Sequence, residues 1–407
     1  MKKNESKYIF FMPAGEMQYA AVNFLKRHNF KIILCDANPK AFLKPLADIF
    51  LNFDIFDIKK CEKKFYNLSK KINIVAAYTA SSDCHKSIAH ISEKIGSTLT
   101  WNKYISDLCS DKHKSRQFLK NLCRQPLSVL VSHPNDLRLC DKDFGLREVV
   151  LKALDSSGSR GFQTFKNIHA ITKKDFYYTQ SYSRLKEIII EEKVSRSNRY
   201  ISEISVEAFY YQGNLKIVNI VDRIFANDIK KLDNLKFLRN QNLFEGIEVG
   251  HLNPSLLPKS IILKIKKIYK KIFKKLNANK KLVTLKLDIL IDDKNEPIVL
   301  EMTPRTSGGW DSCYSNIVTG GNLLKNLLLY IMGIHSASKT YNNTLSYDRI
   351  QKKVFILAIP SDMSPNCIGR KFFAGDVCNI KIPLREIVDK SLIKLKNGDK
   401  IEPINII

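Results

Sequence analysis

Four short apolar runs alternate with polar stretches of helical spacing through the first hundred residues, and this constrains the fold more than any other feature of the chain. Tyr8–Met12, Lys31–Cys35, Ile49–Phe53 and Ile74–Tyr78 have the length and the β-branched or aromatic content of strands. Glu16–His28, Lys59–Lys71 and Asp83–Ile95 carry apolar residues at the spacing of amphipathic helices. Strand–helix alternation on this scale predicts a parallel sheet with right-handed crossovers. The first turn, Pro13-Ala14-Gly15, has one glycine where a dinucleotide-binding turn has three, so the sheet reads as a substrate-binding or architectural unit. Asp36, at the end of the second strand, is either a helix cap or a ribose-type contact.

From Asp111 the pattern changes. A helix is expected over Asp111–Leu122, strands over Val149–Ala153 and Glu187–Glu191, and a hairpin over Ile204–Tyr211 and Leu215–Asp222 turning at Gln212-Gly213-Asn214. The densest basic run, Lys264 to Lys281, places Ile265, Ile268, Tyr269, Ile272, Phe273 and Leu276 on one face and predicts an amphipathic helix with a solvated cationic side. Two more strands, Leu282–Ile291 and Pro297–Glu301, follow around the turn Asp292-Asp293-Lys294-Asn295. This middle unit is α+β. Beyond Ser336 a polar linker leads to short apolar runs such as Lys353–Ile359, which suggest a small β-rich C-terminal unit. The expected division is residues 1–110, 111–335 and 336–407.

Lys and Arg exceed Asp and Glu by 67 to 40, a formal charge of +27. Such a charge invites a nucleic-acid or anionic-membrane reading. The excess is mostly Lys and arrives with abundant Ile and Asn, as base composition alone would produce, and no aromatic ladder, helix-turn-helix or zinc-finger spacing accompanies it. No nucleic-acid partner is therefore expected. Nine widely spaced cysteines with no CxxC pair argue against a disulfide framework or structural zinc and for a reducing cytoplasm. The longest later apolar stretch, Leu323–Ile334, is broken by Lys325 and Asn326, so no membrane span is expected.

Three clusters carry candidate chemistry. Lys152, at the end of a strand, adjoins the small-residue loop Ser156–Gly161, a means of gripping polyphosphate by point charge and main-chain donors; a surface turn beside a snorkelling lysine would look the same. Asp288 and Glu301, on adjacent antiparallel strands, are costly to bury unless a metal or cation neutralises them, and hard divalent cations favour such oxygens. Arg305 would face a phosphorylated intermediate, or else close the hairpin as an ion pair with Glu301. Glu191-Glu192-Lys193-Val194 followed by Glu203-Ile204-Ser205-Val206-Glu207 offers a strand edge and carboxylates to a nucleoside, or is simply a solvated acidic strand end.

In order along the chain, Asp111-Lys112, Lys152 with its Ser/Gly loop, Glu191 to Val194, Glu203 to Glu207, Asp288 and Glu301-Met302-Thr303-Pro304-Arg305 closely resemble the motif set of the ATP-grasp superfamily. The nearest likeness is to its carbamoyl-phosphate synthetase, biotin carboxylase and amino-acid ligase branch, and it covers nearly the whole chain. The resemblance implies a parallel-sheet pre-ATP-grasp domain, a two-part ATP-grasp domain and a small β-rich C-terminal domain. It implies ATP contacts by Lys112, Lys152 and the loop residues Ser157, Gly158, Ser159 and Gly161. Glu191, Glu192 and Val194 would line the adenine site and Glu203 would hold the ribose. Asp288 and Glu301 would bind Mg²⁺ or Mn²⁺, with Arg305 on the acyl phosphate. His251 falls in a segment like the one near the γ-phosphate and reads equally as a cap or core histidine. Ser307, Gly308 and Gly309 border the implied acceptor site, or form a helix-entry turn.

Two residues depart from the family pattern. Ala153 stands where Pro is usual, and Thr303 replaces an Asn two residues after the metal-binding Glu; a hydroxyl is a poorer Mg²⁺ ligand than an amide oxygen. The implied activity is ligation of a small-molecule carboxylate to an amine, through an acyl phosphate, with release of ADP and phosphate. The resemblance also allows a homodimer. Two rivals stand beside this reading: a nucleotide-binding sensor or scaffold on the same fold, and a basic nucleic-acid-binding protein.

Overall fold

The computed structural model describes residues 6–156, 158, 160–225, 248–278, 281–307, 322–350 and 354–357. Ser157, Ser159, Gly308 and Gly309, named above as site residues, lie outside the described residues, as does most of the C-terminal unit.

The N-terminal strands form as the sequence predicts: β1 (Lys7–Phe11), β2 (Lys31–Asp36), β3 (Ile49–Asn52) and β4 (Asn73–Tyr78) make a parallel sheet in the order β3-β2-β1-β4. Helices α1 (Tyr19–Arg27), α2 (Ile58–Ser69) and α3 (His85–Ile95) are the crossovers. Asp36 ties the loops at the carboxyl ends of β1 and β2, accepting hydrogen bonds from the backbone N–H groups of Ala14 (3.0 Å) and Asn38 (2.8 Å). Helix α4 (Lys103–Ser110) leads to α5 (Lys112–Leu119), which Asp111 caps through the Lys114 N–H.

A second, four-stranded sheet, of order β5-β8-β6-β7, consists of β5 (Ser128–Val131), β6 (Val149–Ala153), β7 (Gln163–Phe165) and β8 (Ile188–Glu192), with α6 (Asp141–Phe144) and α7 (Lys173–Ser181) in its connections. It has its own core, built on Phe144, Val149, Leu151, Phe176, Ile188 and Ile190. The third sheet has six strands in the order β13-β12-β9-β10-β11-β14: β9 (Glu203–Tyr211), β10 (Asn214–Phe225), β11 (Glu248–Asn253), β12 (Val283–Ile291), β13 (Pro297–Thr303) and β14 (Val354–Leu357). β9 and β10 form the expected hairpin, and the turn residues Gln212 (φ 47°) and Gly213 (φ 82°) take the left-handed conformations that such a tight turn requires.

Helix α8 (Lys259–Lys275) packs its Ile265, Tyr269, Ile272 and Phe273 beneath this sheet, each side chain contributing about 1.5–3 kcal/mol of apolar burial. The basic-run expectation holds in kind and in the face it buries, with the helix boundaries displaced toward the N-terminus. The helix begins directly after Pro258, burying Ile261 and Ile262, and ends before Asn277, whose φ of 53° stops it short of Lys281. Helices α9 (Asn322–Ile331) and α10 (Ala337–Asn343) follow, and β14 then extends the six-stranded sheet beside β11. Among the described residues no helix is long and apolar enough to cross a membrane.

Candidate functional site

Period-two alternation along β12 sends Leu285, Leu287 and Ile289 into the core and turns Lys286 and Asp288 to the opposite face of the sheet. The register then assembles the site. Asp288 stands directly opposite Glu301 on β13 and Ser205 on β9, while Lys286 stands opposite Thr303 and Glu207. The sequence expectation that Asp288 and Glu301 occupy adjacent antiparallel strands therefore holds at the level of single residues. Among the described residues, the Glu301 carboxylate makes no hydrogen bond or ion pair and is partly exposed.

Glu203 lies on the same face with two arginines, Arg196 on one oxygen and the Arg223 guanidinium 3.7 Å from the other. Arg223 also approaches Asp288 Oδ1 at 3.8 Å, and Lys286 Nζ is 2.9 Å from Asp288 Oδ2. Alternating charges thus run Arg196, Glu203, Arg223, Asp288, Lys286 across three strands. His251, buried on β11, is the register partner of Arg223.

The four-stranded sheet brings a second group of charges. Glu191 is fully buried, with Oε1 accepting from Arg116 Nε (2.7 Å) and Oε2 from Lys152 Nζ (2.6 Å). Burial alone would raise its carboxyl; the two cations outweigh that and hold it down to about 2. The remaining Arg116 nitrogens donate to the backbone oxygens of Val299 (3.1 Å) and Leu300 (2.7 Å) on β13, next to Glu301. Glu191 therefore faces inward to a cation pair. Glu192 turns the other way, accepting from the Leu127 N–H (2.9 Å), and Val194 follows half-buried in the connection to β9. Lys112 sits in the first turn of α5 and donates to the carbonyls of Ala153 (3.1 Å), Leu154 (3.4 Å) and Ser156 at the end of β6; burial depresses its pKa. In the adjoining loop Gly158 (φ 63°) and Gly161 (φ 73°) are left-handed, and a Cβ on Gly161 would meet Tyr182 Cδ2 at 2.9 Å and Thr179 O at 3.1 Å.

Arg305 does not pair with Glu301. Its Nη2 and Nε lie 2.5 and 3.2 Å from Asp83 Oδ1, at the carboxyl end of the parallel sheet, and Nη1 donates to Thr306 O at 2.7 Å. Thr306 donates to Ala80 O, and the Thr284 and Thr100 hydroxyls are 2.7 Å apart, so one seam joins the N-terminal sheet to the β12–β13 hairpin. The Ser307 N–H donates to Glu207 (2.6 Å), and its hydroxyl is 3.0 Å from that of Ser205. A cavity of about 400 Å³ lined by Tyr104, His113, Phe118 and Lys275 lies elsewhere, on a face of α5 different from the one carrying Lys112 and Arg116.

Sequence reasoning passed over Arg116, Lys286, Arg223 and Asp83. Arg116 is four residues past Lys112 on one helix, and Lys286 two before Asp288 on one strand, so both were within reach of periodicity. Asp83 lies 222 residues from Arg305 and carries no local signal. The donor set suits a hard divalent cation: two carboxylates face each other across β12–β13, one of them Glu301 with its oxygens uncommitted. Among the described residues no third His, Cys, Asp or Glu joins them.

No family model matches the chain. The 3-methyl-D-ornithine–L-lysine ligase of Methanosarcina barkeri is 29% identical over 109 residues, 26% of this chain and 29% of that protein. The chain thus matches less than a third of this curated relative's length. Among solved structures, the L-amino acid ligase from Bacillus licheniformis superposes with a TM-score of 0.64 at 14% identity, covering 88% of this chain and 82% of its own. The biotin carboxylase domain of the 2-oxoglutarate carboxylase from Hydrogenobacter thermophilus, in complex with MgADP, ADP and bicarbonate, also reaches 0.64 at 14% identity, covering 88% and 76%.

Proposed function

We propose that this chain, which has the ATP-grasp fold, is an ATP-dependent ligase that joins a small carboxylate to an amine through an acyl phosphate. The observation that carries this reading is the single sheet face on which Glu203, Asp288 and Glu301 line up, beside the sheet that carries Lys152 and its glycine loop. ATP would lie between the two sheets, with Glu203 toward the ribose and Lys112, Lys152 and the amides of the 156–161 loop toward the phosphates. Asp288 and Glu301 would hold Mg²⁺ or Mn²⁺, which supplies charge neutralisation at the phosphates.

A carboxylate oxygen of the first substrate attacks the γ-phosphorus, and the bond to the ADP oxygen breaks with its electrons going to ADP. The amine of the second substrate then attacks the acyl carbon, phosphate leaves with the C–O bonding pair, and the amine's proton passes to solvent. Arg305, aligned by Asp83, offers donors to the acyl phosphate. His251 stays at the phosphate end of β11 as a positioning group. Ser307, with Gly308 and Gly309 after it, would border the acceptor. Amino acids are the substrate class to test first, because the curated relative named above is a ligase of an ornithine derivative to lysine and one structural neighbour is an L-amino acid ligase.

The experiment is ADP release measured across amino acids supplied singly and in pairs, with hydroxylamine as a surrogate amine. A hydroxamate formed in step with ADP and phosphate supports the reading. AMP and pyrophosphate would replace it with adenylation, and substrate-independent nucleotide binding without turnover would favour a sensor.

A further inference from the structure

Every residue of β12 is buried, and one of them is a lysine. Lys286 is 7% exposed, and a lysine in such a place costs several kcal/mol unless its charge is matched. Asp288, 2.9 Å from its ammonium, provides the match, and Glu207 is its register partner on β9. On the other side its register partner is Thr303, the position at which the ATP-grasp pattern has an asparagine that helps to hold a second metal ion. One departure from that pattern therefore meets a buried cation at one rung of the sheet: an amide ligand is missing, and a positive charge stands across from the gap.

We infer that the Lys286 ammonium takes the place of the second divalent cation, so that the site binds one metal ion per nucleotide. The inference rests on the reading that ATP binds on this face. Physically, an ammonium delivers one positive charge and up to three donors to an anionic oxygen without needing a set of oxygen ligands, and Thr303 provides no strong one. Asp288 is shared: one oxygen accepts from Lys286, and the carboxylate also faces Glu301, where the single cation would sit. A divalent ion beside Lys286 would have to displace that ammonium from Asp288 against direct repulsion.

The test is Mn²⁺ titration of the full chain with a saturating non-hydrolysable ATP analogue, counting bound Mn²⁺ from the loss of the free-ion paramagnetic resonance signal. The wild-type chain is expected to bind one Mn²⁺ per chain tightly, and Lys286→Met combined with Thr303→Asn is expected to bind two. Thr303→Asn alone, which keeps the ammonium and the strand's buried charge balance, is expected to stay at one. Two Mn²⁺ of similar affinity in the wild type, two in Thr303→Asn, or one in the double variant would each overturn the inference while leaving the ligase reading in place. Absence of any nucleotide-dependent Mn²⁺ binding in the wild type would overturn both.

Discussion

Two clusters of opposite charges lie in this molecule, and they are built differently. Around Glu191 both carboxylate oxygens are taken, by Arg116 and Lys152 at 2.7 and 2.6 Å; the carboxylate is fully buried, and Arg116 spends its other nitrogens on β13 carbonyls. Around Asp288 the spacing is mixed: Lys286 is at 2.9 Å, while Arg223, whose side chain is 23% exposed, stands 3.7 and 3.8 Å from Glu203 and Asp288. The first cluster ties α5, the four-stranded sheet and β13 together. The second runs across β9, β10 and β12, on the sheet face where the nucleotide is proposed to bind. Closeness of charges alone therefore does not mark a binding site: Glu191 is committed on both oxygens, whereas Glu301 makes no hydrogen bond or ion pair among the described residues.

The largest test of that contrast is Arg116→Met, which leaves Glu191 buried beside a single cation. It is expected to lower unfolding free energy by about 3–5 kcal/mol in urea denaturation, and a loss below 1 kcal/mol would remove the distinction between the clusters. Glu301→Gln belongs to the other class. Because Glu301 makes no hydrogen bond or ion pair among the described residues, stability should change by no more than about 0.5 kcal/mol, while ADP formation falls roughly a hundredfold, about 2.7 kcal/mol of barrier.

Acid titration gives an intermediate effect with a defined order. Burial pushes the His85 imidazole down to about 4, below its ordinary 6.5, so the unfolded chain takes up a proton first and stability declines as pH falls from 6.5 toward 4, by at most about 1.4 kcal/mol per unit. Glu191, held down to about 2, loses its contribution only as pH falls from 4.5 toward 2. Melting temperatures measured from pH 7 to 3 should therefore begin to drop near 6.5, and His85→Asn should flatten that first limb. The smallest effect is expected at the exposed Lys266–Asp348 pair (3.3 Å), where Lys266→Ala should cost at most a few tenths of a kcal/mol in the same denaturation assay.

How much of this was legible depends on distance along the chain. The four N-terminal strands match their apolar runs to within about a residue, because a buried parallel strand announces itself locally. The Asp288–Glu301 pairing was legible for the same reason: a short polar turn leaves two strands little choice but to pair. Strands β5 and β7, four and three residues long, carry too few residues to show a period. The cation pair around Glu191 was not legible, since nothing near it in sequence announces Arg116, 75 residues earlier, as its partner. The motif order pointed to these carboxylates; the cation that each one keeps is set by tertiary packing.

The seam between Asp83 and Arg305 has a consequence for how freely the pieces of this protein can be recombined. A guanidinium 7% exposed takes its counter-charge from a loop of the parallel sheet, and Thr306 and Thr284 fasten the same edge through Ala80 and Thr100. A chain started after residue 110 would keep the four- and six-stranded sheets and yet strand a buried cation without its anion. The N-terminal unit is thus not an interchangeable module: a graft from another protein would have to bring an acidic residue to the position of Asp83 as well as match the hydrophobic core that the N-terminal sheet shares with the six-stranded one.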